Sequence, residues 1–116
     1  MPELEAHTIC IDLDNTLCRS VPDQYESAQP MPGALEALRQ LKQDGWFVVI
    51  CTARHFNHWA TTRDWLDRHG FEYDQIVYGK PPARFYIDDR AIPFGGDWSE
   101  VRERLGRAVD GVAKTT

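Results

Sequence analysis

The stretch Ile9-Cys10-Ile11-Asp12-Leu13-Asp14-Asn15-Thr16 decides how the rest of the chain is read. A short apolar run flanked by polar residues has the composition of a strand buried on both faces, as found at the centre of a parallel sheet. It ends in two carboxylates one residue apart, followed by a turn-forming Asn and a hydroxyl. Side chains two apart on an extended chain share a face, so Asp12 and Asp14 are expected on one side of the strand tip. Two close anions repel, which calls for something positive between or beside them.

Working outward, Met1 to Ala6 reads as a loose lead-in and the first strand as His7 to Asp12. Leu17 to Met31 shows no period of either kind and reads as a long loop of functional length. Pro32-Gly33 opens a helix whose apolar stripe is Ala34, Leu35, Ala37, Leu38 and Leu41, and Gly45 stops it. Trp46 to Cys51 is a second, almost wholly apolar strand. A second helix is expected from about His58 to His69, with Asn57 as its cap, Trp59, Thr62, Trp65 and Leu66 toward the sheet, and Gly70 at its end. Gln75 to Tyr78 and Arg84 to Asp88 read as a third and a fourth strand. Asp97 and Glu100 are spaced as a capping box for a last helix near Trp98 to Val109.

Strand and helix alternate, and the strands are of the buried type. The pattern predicts an α/β protein: a Rossmann-like, three-layer α/β/α sandwich around a mainly parallel sheet, with right-handed crossovers placing helices on both faces. The whole chain, residues 1–116, is expected to form one domain with its core at about 7–109 and no second domain. In such sheets ligands bind beyond the carboxyl ends of the strands. Each strand here delivers a polar group to that edge: Asp12 after the first, Thr52 after the second, Lys80 just after the third and Asp88-Asp89 after the fourth. A lone Thr there is ordinarily a turn residue and a lone Lys ordinarily solvated surface. The joint placement is what carries information.

Composition narrows the function. The 116 residues are 42% hydrophobic and 27% charged with a net charge of −5, ordinary for a soluble globular protein. The acidic balance argues against general nucleic-acid binding and against an anionic membrane surface. No apolar run is long enough to span a bilayer and no secretion signal is evident, so a cytoplasmic location is expected. The three cysteines, Cys10, Cys18 and Cys51, show no metal-binding pair and read as small buried hydrophobes. His55 and His58 lack a third metal ligand. Trp46, Trp59, Trp65 and Trp98 are expected to pack between helices and sheet rather than to stack on bases.

The four polar tips resemble the motif set of the haloacid dehalogenase superfamily of phosphotransferases. Asp12 to Thr16 matches its Asp-x-Asp-x-Thr motif, with Asn15 where Gly is common. Thr52 in Cys51-Thr52-Ala53-Arg54 matches its hydroxyl at a strand end, Lys80 in Gly79-Lys80-Pro81 its lysine, and Asp88-Asp89 its acidic pair; the likeness spans about residues 8 to 98. The resemblance implies that Asp12 is a nucleophile forming an aspartyl-phosphate, and that Asp14 protonates the leaving oxygen and then deprotonates the attacking water. It implies Thr52 and Lys80 on the transferring phosphoryl group, with main-chain N–H groups near Leu13 and Ala53 assisting. It also implies Mg²⁺ as cofactor, held by a carboxylate oxygen of Asp12, the carbonyl of Asp14, Asp88 and Asp89. Arg54, Arg84 and Arg90 are candidates for a second anionic group, against a structural or surface ion-pair role.

The spacing leaves room for no separate cap domain, so the chain looks like a minimal, capless member with an open site. Such a site suits a bulky substrate or closure by a second copy in a homo-oligomer. Arg19, Asp23, Gln24, Tyr25 and Glu26 in the long loop are the local candidates for contacting the leaving group. The reading is a Mg²⁺-dependent phosphomonoesterase acting on a small phosphorylated metabolite such as a sugar phosphate. The alternatives are a phosphatase of nucleic-acid ends, a non-catalytic phosphate-binding module on the same fold, and a signalling receiver domain. The last places its acidic pair after the first strand and its phosphorylated Asp after the third, whereas here the third delivers Lys80 and Asp88-Asp89 comes last.

Overall fold

The computed structural model describes residues 3–115. Three parallel strands form the sheet: β1 (Thr8–Asp12), β4 (Phe47–Thr52) and β5 (Gln75–Tyr78), in the order β1-β4-β5. Register pairs Ile9 with Val48 and Ile11 with Ile50, so these four side chains share one face. Against that face pack Ala34, Ala37, Leu38 and Leu41 of α2 (Ala34–Gln43) and Trp65 and Leu66 of α3 (Trp59–Arg68), all in one buried cluster. Strand, helix, strand, helix, strand with parallel pairing is the Rossmann-like arrangement that the alternation predicts. Among the described residues no helix is long and apolar enough to cross a membrane.

Several expectations need correction. Of the expected loose lead-in Met1 to Ala6, Met1 and Pro2 lie outside the described residues; Glu3–Ala6 is a one-turn helix, α1, and the Thr8 hydroxyl donates to the Leu4 carbonyl at 2.6 Å. The long loop contains structure of its own, because β2 (Cys18–Arg19) and β3 (Gln29–Pro30) pair antiparallel around a 3₁₀ turn at Tyr25–Ser27. Asn57 does not cap α3. A 3₁₀ turn at Phe56–His58 leads into the helix, and the His55 ring Nδ1 accepts from the Asn57 N–H at 3.1 Å. Trp59 is half-exposed rather than turned toward the sheet.

The largest departure is the fourth strand. Residues 84–88 form none: Phe85, Tyr86 and Ile87 are exposed and β1 is left at the edge of the sheet. The apolar run Phe85-Tyr86-Ile87 that reads as a strand therefore finds no partner here. For the same reason Cys10 is exposed and Cys51 half-buried rather than enclosed, since both lie on the sheet face opposite the core. α4 (Trp98–Thr115) packs on α2, with Asp97 Oδ1 accepting the Ser99 N–H at its start. Gly33 sits at φ 82° at the head of α2, and a Cβ there would come within 3.2 Å of the Trp98 Cβ. The position requires glycine both for its left-handed backbone and for this close approach.

Asp74 fastens the second crossover to the sheet. Its N–H donates to the Val48 carbonyl at 2.8 Å, and its carboxylate accepts from the Val48 N–H at 2.7 Å and from Lys42 Nζ at 2.6 Å. Burial alone would push this carboxyl up, but the Lys42 ammonium and the Val48 amide together hold it below the usual carboxylate range. A depressed native pKa gives stability that is complete above the unfolded value near 3.9 and is lost as pH falls through the native value. Asp74→Asn is therefore expected to cost about 1–3 kcal/mol at neutral pH. In urea unfolding, its difference from wild type should shrink below about pH 4, through the native pKa. A difference independent of pH would rule out the carboxylate as its source.

Candidate active site

The site grows from the tip of β1. The strand stops at Asp12, and the chain folds tightly around the carbonyl of wholly buried Leu13, which accepts N–H bonds from Thr16, Leu17 and Cys18. Asn15 takes φ 62° in this turn, the left-handed backbone that Asn tolerates. Its side chain accepts from the Ser20 N–H at 3.2 Å, and the Trp98 indole donates to the Thr16 carbonyl at 2.8 Å. The turn is thus closed by its own amides and tied to α4, which fixes the directions of Asp12 and Asp14.

Each acid faces a cation from another strand end. Lys80 follows Gly79, whose φ of 85° turns the chain after β5, and the Lys80 N–H donates to the Thr52 carbonyl at 3.0 Å. Its Nζ then lies 3.4 Å from Asp12 Oδ1 and 4.4 Å from the Tyr86 ring centroid. The Thr16 hydroxyl reaches the other Asp12 oxygen at 3.4 Å. Asp14 meets Arg54, whose Nε and Nη2 donate to its two carboxylate oxygens at 2.9 and 2.7 Å. The positive groups demanded by the two neighbouring carboxylates are therefore present, one for each acid. Asp12, Asp14, Arg54 and Lys80 come together across the ends of β1, β4 and β5.

Two expected phosphate contacts are placed differently. Thr52 is wholly buried because it shares the sheet face of Val48 and Ile50, and its hydroxyl accepts the Arg54 N–H at 3.0 Å. In this arrangement it shapes the turn after β4. Arg54 is only 4% exposed and is bound to Asp14 and to the Thr62 hydroxyl, so it is not displayed for a second anion. Ala53, between them, is exposed at the turn. Cys18 packs beneath, with its thiol pushed up to about 11 by burial and by Asp14, which leaves it an inert neighbour.

The acidic pair is not brought in. Asp88 accepts from the Arg90 N–H at 2.8 Å, and the Arg90 guanidinium pairs with Glu5 of α1 at 2.6 Å, so this segment is tied to the element at the head of β1. Among the described residues no group of three or more His, Cys, Asp or Glu side chains is arranged to hold a metal. Of the donors implied for magnesium, Asp12 and the Asp14 carbonyl lie at the tip of β1, whereas the Asp88 and Asp89 side chains are not gathered with Asp12 in this structure.

Three residues that the sequence reads in other roles complete the arrangement: Thr62 as a sheet-facing residue, Tyr25 as a leaving-group contact and His58 as a residue of the helix start. Thr62 was expected only to face the sheet, yet it anchors Arg54 at 3.1 Å. The Tyr25 ring lies over the Arg54 guanidinium at 3.8 Å, and His58 meets that ring edge-on at 5.2 Å. The available signal was an arginine two residues after a strand-end Thr, a position from which its side chain folds back onto the first motif.

Residues 9–70 match the family of haloacid dehalogenase-like hydrolases. A Bacillus cereus protein named as a nucleotidase is 33% identical over 98 residues, covering 79% of this chain and 52% of its own. A Chlorobaculum tepidum protein named as a 5′(3′)-deoxyribonucleotidase is 37% identical over 75 residues, covering 56% of this chain and 37% of its own. The chain thus spans about half or less of the length of these curated relatives. A crystal structure from Vibrio cholerae superposes with a TM-score of 0.69 at 29% identity, covering 87% of this chain and 98% of that one. The match of more than half the chain, with the paired acids of β1 and the lysine after β5 in one place, shows that this chain belongs to the haloacid dehalogenase-like hydrolases.

Proposed function

We propose that the chain hydrolyses phosphate monoesters of small metabolites through a phosphoaspartate on Asp12. The observation that carries this reading is the partly exposed Asp12 facing Lys80, two residues before an Asp14 held by Arg54. An Asp12 oxygen attacks phosphorus as the bond to the ester oxygen breaks, and Asp14, entering the step as the carboxylic acid, gives that oxygen its proton. Water then attacks the phosphorus of the phosphoaspartate and loses a proton to Asp14, releasing phosphate and restoring Asp12. Lys80, beside the reacting carboxylate, offsets charge on the transferring oxygens, and main-chain N–H groups near Leu13 and Ala53 assist.

Hydrolases of this superfamily typically use Mg²⁺. The proposed donors are Asp12, the Asp14 carbonyl, Asp88 and Asp89, and the last two would have to leave the place that Arg90 and Glu5 give them. The names of the two relatives favour a nucleoside monophosphate over a sugar phosphate within the same class of small substrate. The proposed setting is the cytoplasm.

Phosphate release from a panel of nucleoside monophosphates and sugar phosphates, with Mg²⁺ supplied, tests the reading. Turnover is expected on at least one of them. Release from none, with the fold intact, would leave a non-catalytic phosphate-binding module as the better account.

A further inference from the structure

Arg54 and Tyr25 are built around Asp14 more tightly than a chance surface pair. The guanidinium makes four hydrogen bonds: Nε and Nη2 to the two Asp14 oxygens at 2.9 and 2.7 Å, Nη1 to the Thr62 hydroxyl at 3.1 Å, and Nη2 also to Cys18 Sγ at 4.0 Å. The plane so fixed is covered by the Tyr25 ring at 3.8 Å, leaving the arginine 4% exposed. A forked, two-point contact fixes the rotation of a carboxylate, which a single contact does not. A carboxylate has about four lone-pair sites, and the fork takes one on each oxygen. The Cys18 thiol reaches a second site on Oδ1 at 3.8 Å, so Oδ2 is the oxygen with a site left to hold or pass a proton.

Tyr25 is placed independently of Arg54. Its 3₁₀ turn packs on α3, where the Trp65 indole donates to the Ala28 carbonyl at 2.9 Å and Arg68 donates to the Glu26 carbonyl at 3.1 Å. The loop after the first motif is thereby pinned to the helix after the second motif, with the Tyr25–Arg54 stack at the junction. Neither side chain touches Asp12 or Lys80 in the contacts described.

We propose that Tyr25 and Arg54 are positioning residues that hold the Asp14 carboxylate in the orientation from which it protonates the leaving oxygen. This rests on the reading of Asp14 as the proton donor. An ester whose leaving group is already a stable anion needs little help from that proton, whereas an alkoxide leaving group depends on it. Misplacing Asp14 should therefore damage the two kinds of substrate unequally, which a loss of folded protein would not do.

The experiment compares kcat/KM for p-nitrophenyl phosphate and for an alkyl phosphate such as glycerol phosphate, with Mg²⁺ present, in the wild type, Tyr25→Ala, Tyr25→Phe, Arg54→Lys and Asp14→Asn. Tyr25→Ala and Arg54→Lys are expected to lose about 10- to 100-fold on the alkyl ester. On the nitrophenyl ester their loss should be only about 2- to 3-fold, because that leaving group needs little protonation. Tyr25→Phe, which keeps the ring, should recover most of what Tyr25→Ala loses. Asp14→Asn should show the same selective loss, larger. If Asp14→Asn is selective while Tyr25→Ala and Arg54→Lys lower both substrates equally or neither, the positioning role is overturned and the reading of Asp14 stands. If Asp14→Asn is itself unselective, the reading of Asp14 falls and the positioning proposal with it.

Discussion

Asp12→Asn is expected to abolish turnover while leaving the fold in place. The amide is nearly the same size as the carboxylate but is a far weaker nucleophile toward phosphorus, and it carries no charge to pair with Lys80. Removing the group that forms the covalent bond lowers kcat on the order of 10³- to 10⁶-fold in enzymes that work through an intermediate. The structural cost is small. The Asp12–Lys80 pair has side chains 36% and 26% exposed and a separation of 3.4 Å, a geometry in which ion pairs contribute about 0–1 kcal/mol. Asp12 also ends its strand rather than filling the core, so no cavity is opened. Phosphate release and thermal melting on the same preparation check both halves. A variant that melts like wild type and retains a rate within about tenfold of it would remove Asp12 as the nucleophile.

How far the sequence reaches is set by where the information is local. Asp12, Lys80 and the strands that carry them are legible because each follows an apolar run and a turn signal, and the parallel sheet brings strand ends together whatever the loops do. The turn at Asn15 and the glycine at position 33 are legible in the same way, through backbone conformation. The burial of Thr52 is not legible in the chain, because a one-residue difference in where a strand ends changes the surroundings of the side chain at its tip. β4 runs through Thr52 rather than stopping at Cys51, and the hydroxyl is carried into the core. Phe85-Tyr86-Ile87 has the composition of a strand, but a strand exists only as part of a pair, and pairing is a property of the whole fold. The Arg54–Asp14 fork spans 40 positions and the Tyr25 stack joins a loop to a different crossover. Neither leaves a periodic trace in the chain.

The second large effect is on stability. Trp65→Ala is expected to cost about 3–5 kcal/mol, the range for deleting a large aromatic from a packed interior. Trp65 is 1% exposed, lies against the Phe71 ring at 5.4 Å and the His69 ring at 4.5 Å, and donates its indole N–H to the Ala28 carbonyl at 2.9 Å. The substitution therefore opens a void under α3 and strips a partner from a carbonyl on a buried residue, two penalties that act together. Against a total of about 5–15 kcal/mol for a domain, the loss is a third or more of the margin. Trp65→Phe separates the two terms: it keeps much of the ring but not the donor, and should cost less than Trp65→Ala. Because the Ala28 bond is one of the ties that hold the Tyr25 turn to α3, Trp65→Phe should also loosen the cover over Arg54. That would show as faster amide hydrogen exchange at residues 25–28 than in wild type. Urea unfolding measures the stability loss, and a cost for Trp65→Ala under about 1 kcal/mol would mean that the helix and the loop can close over the missing ring.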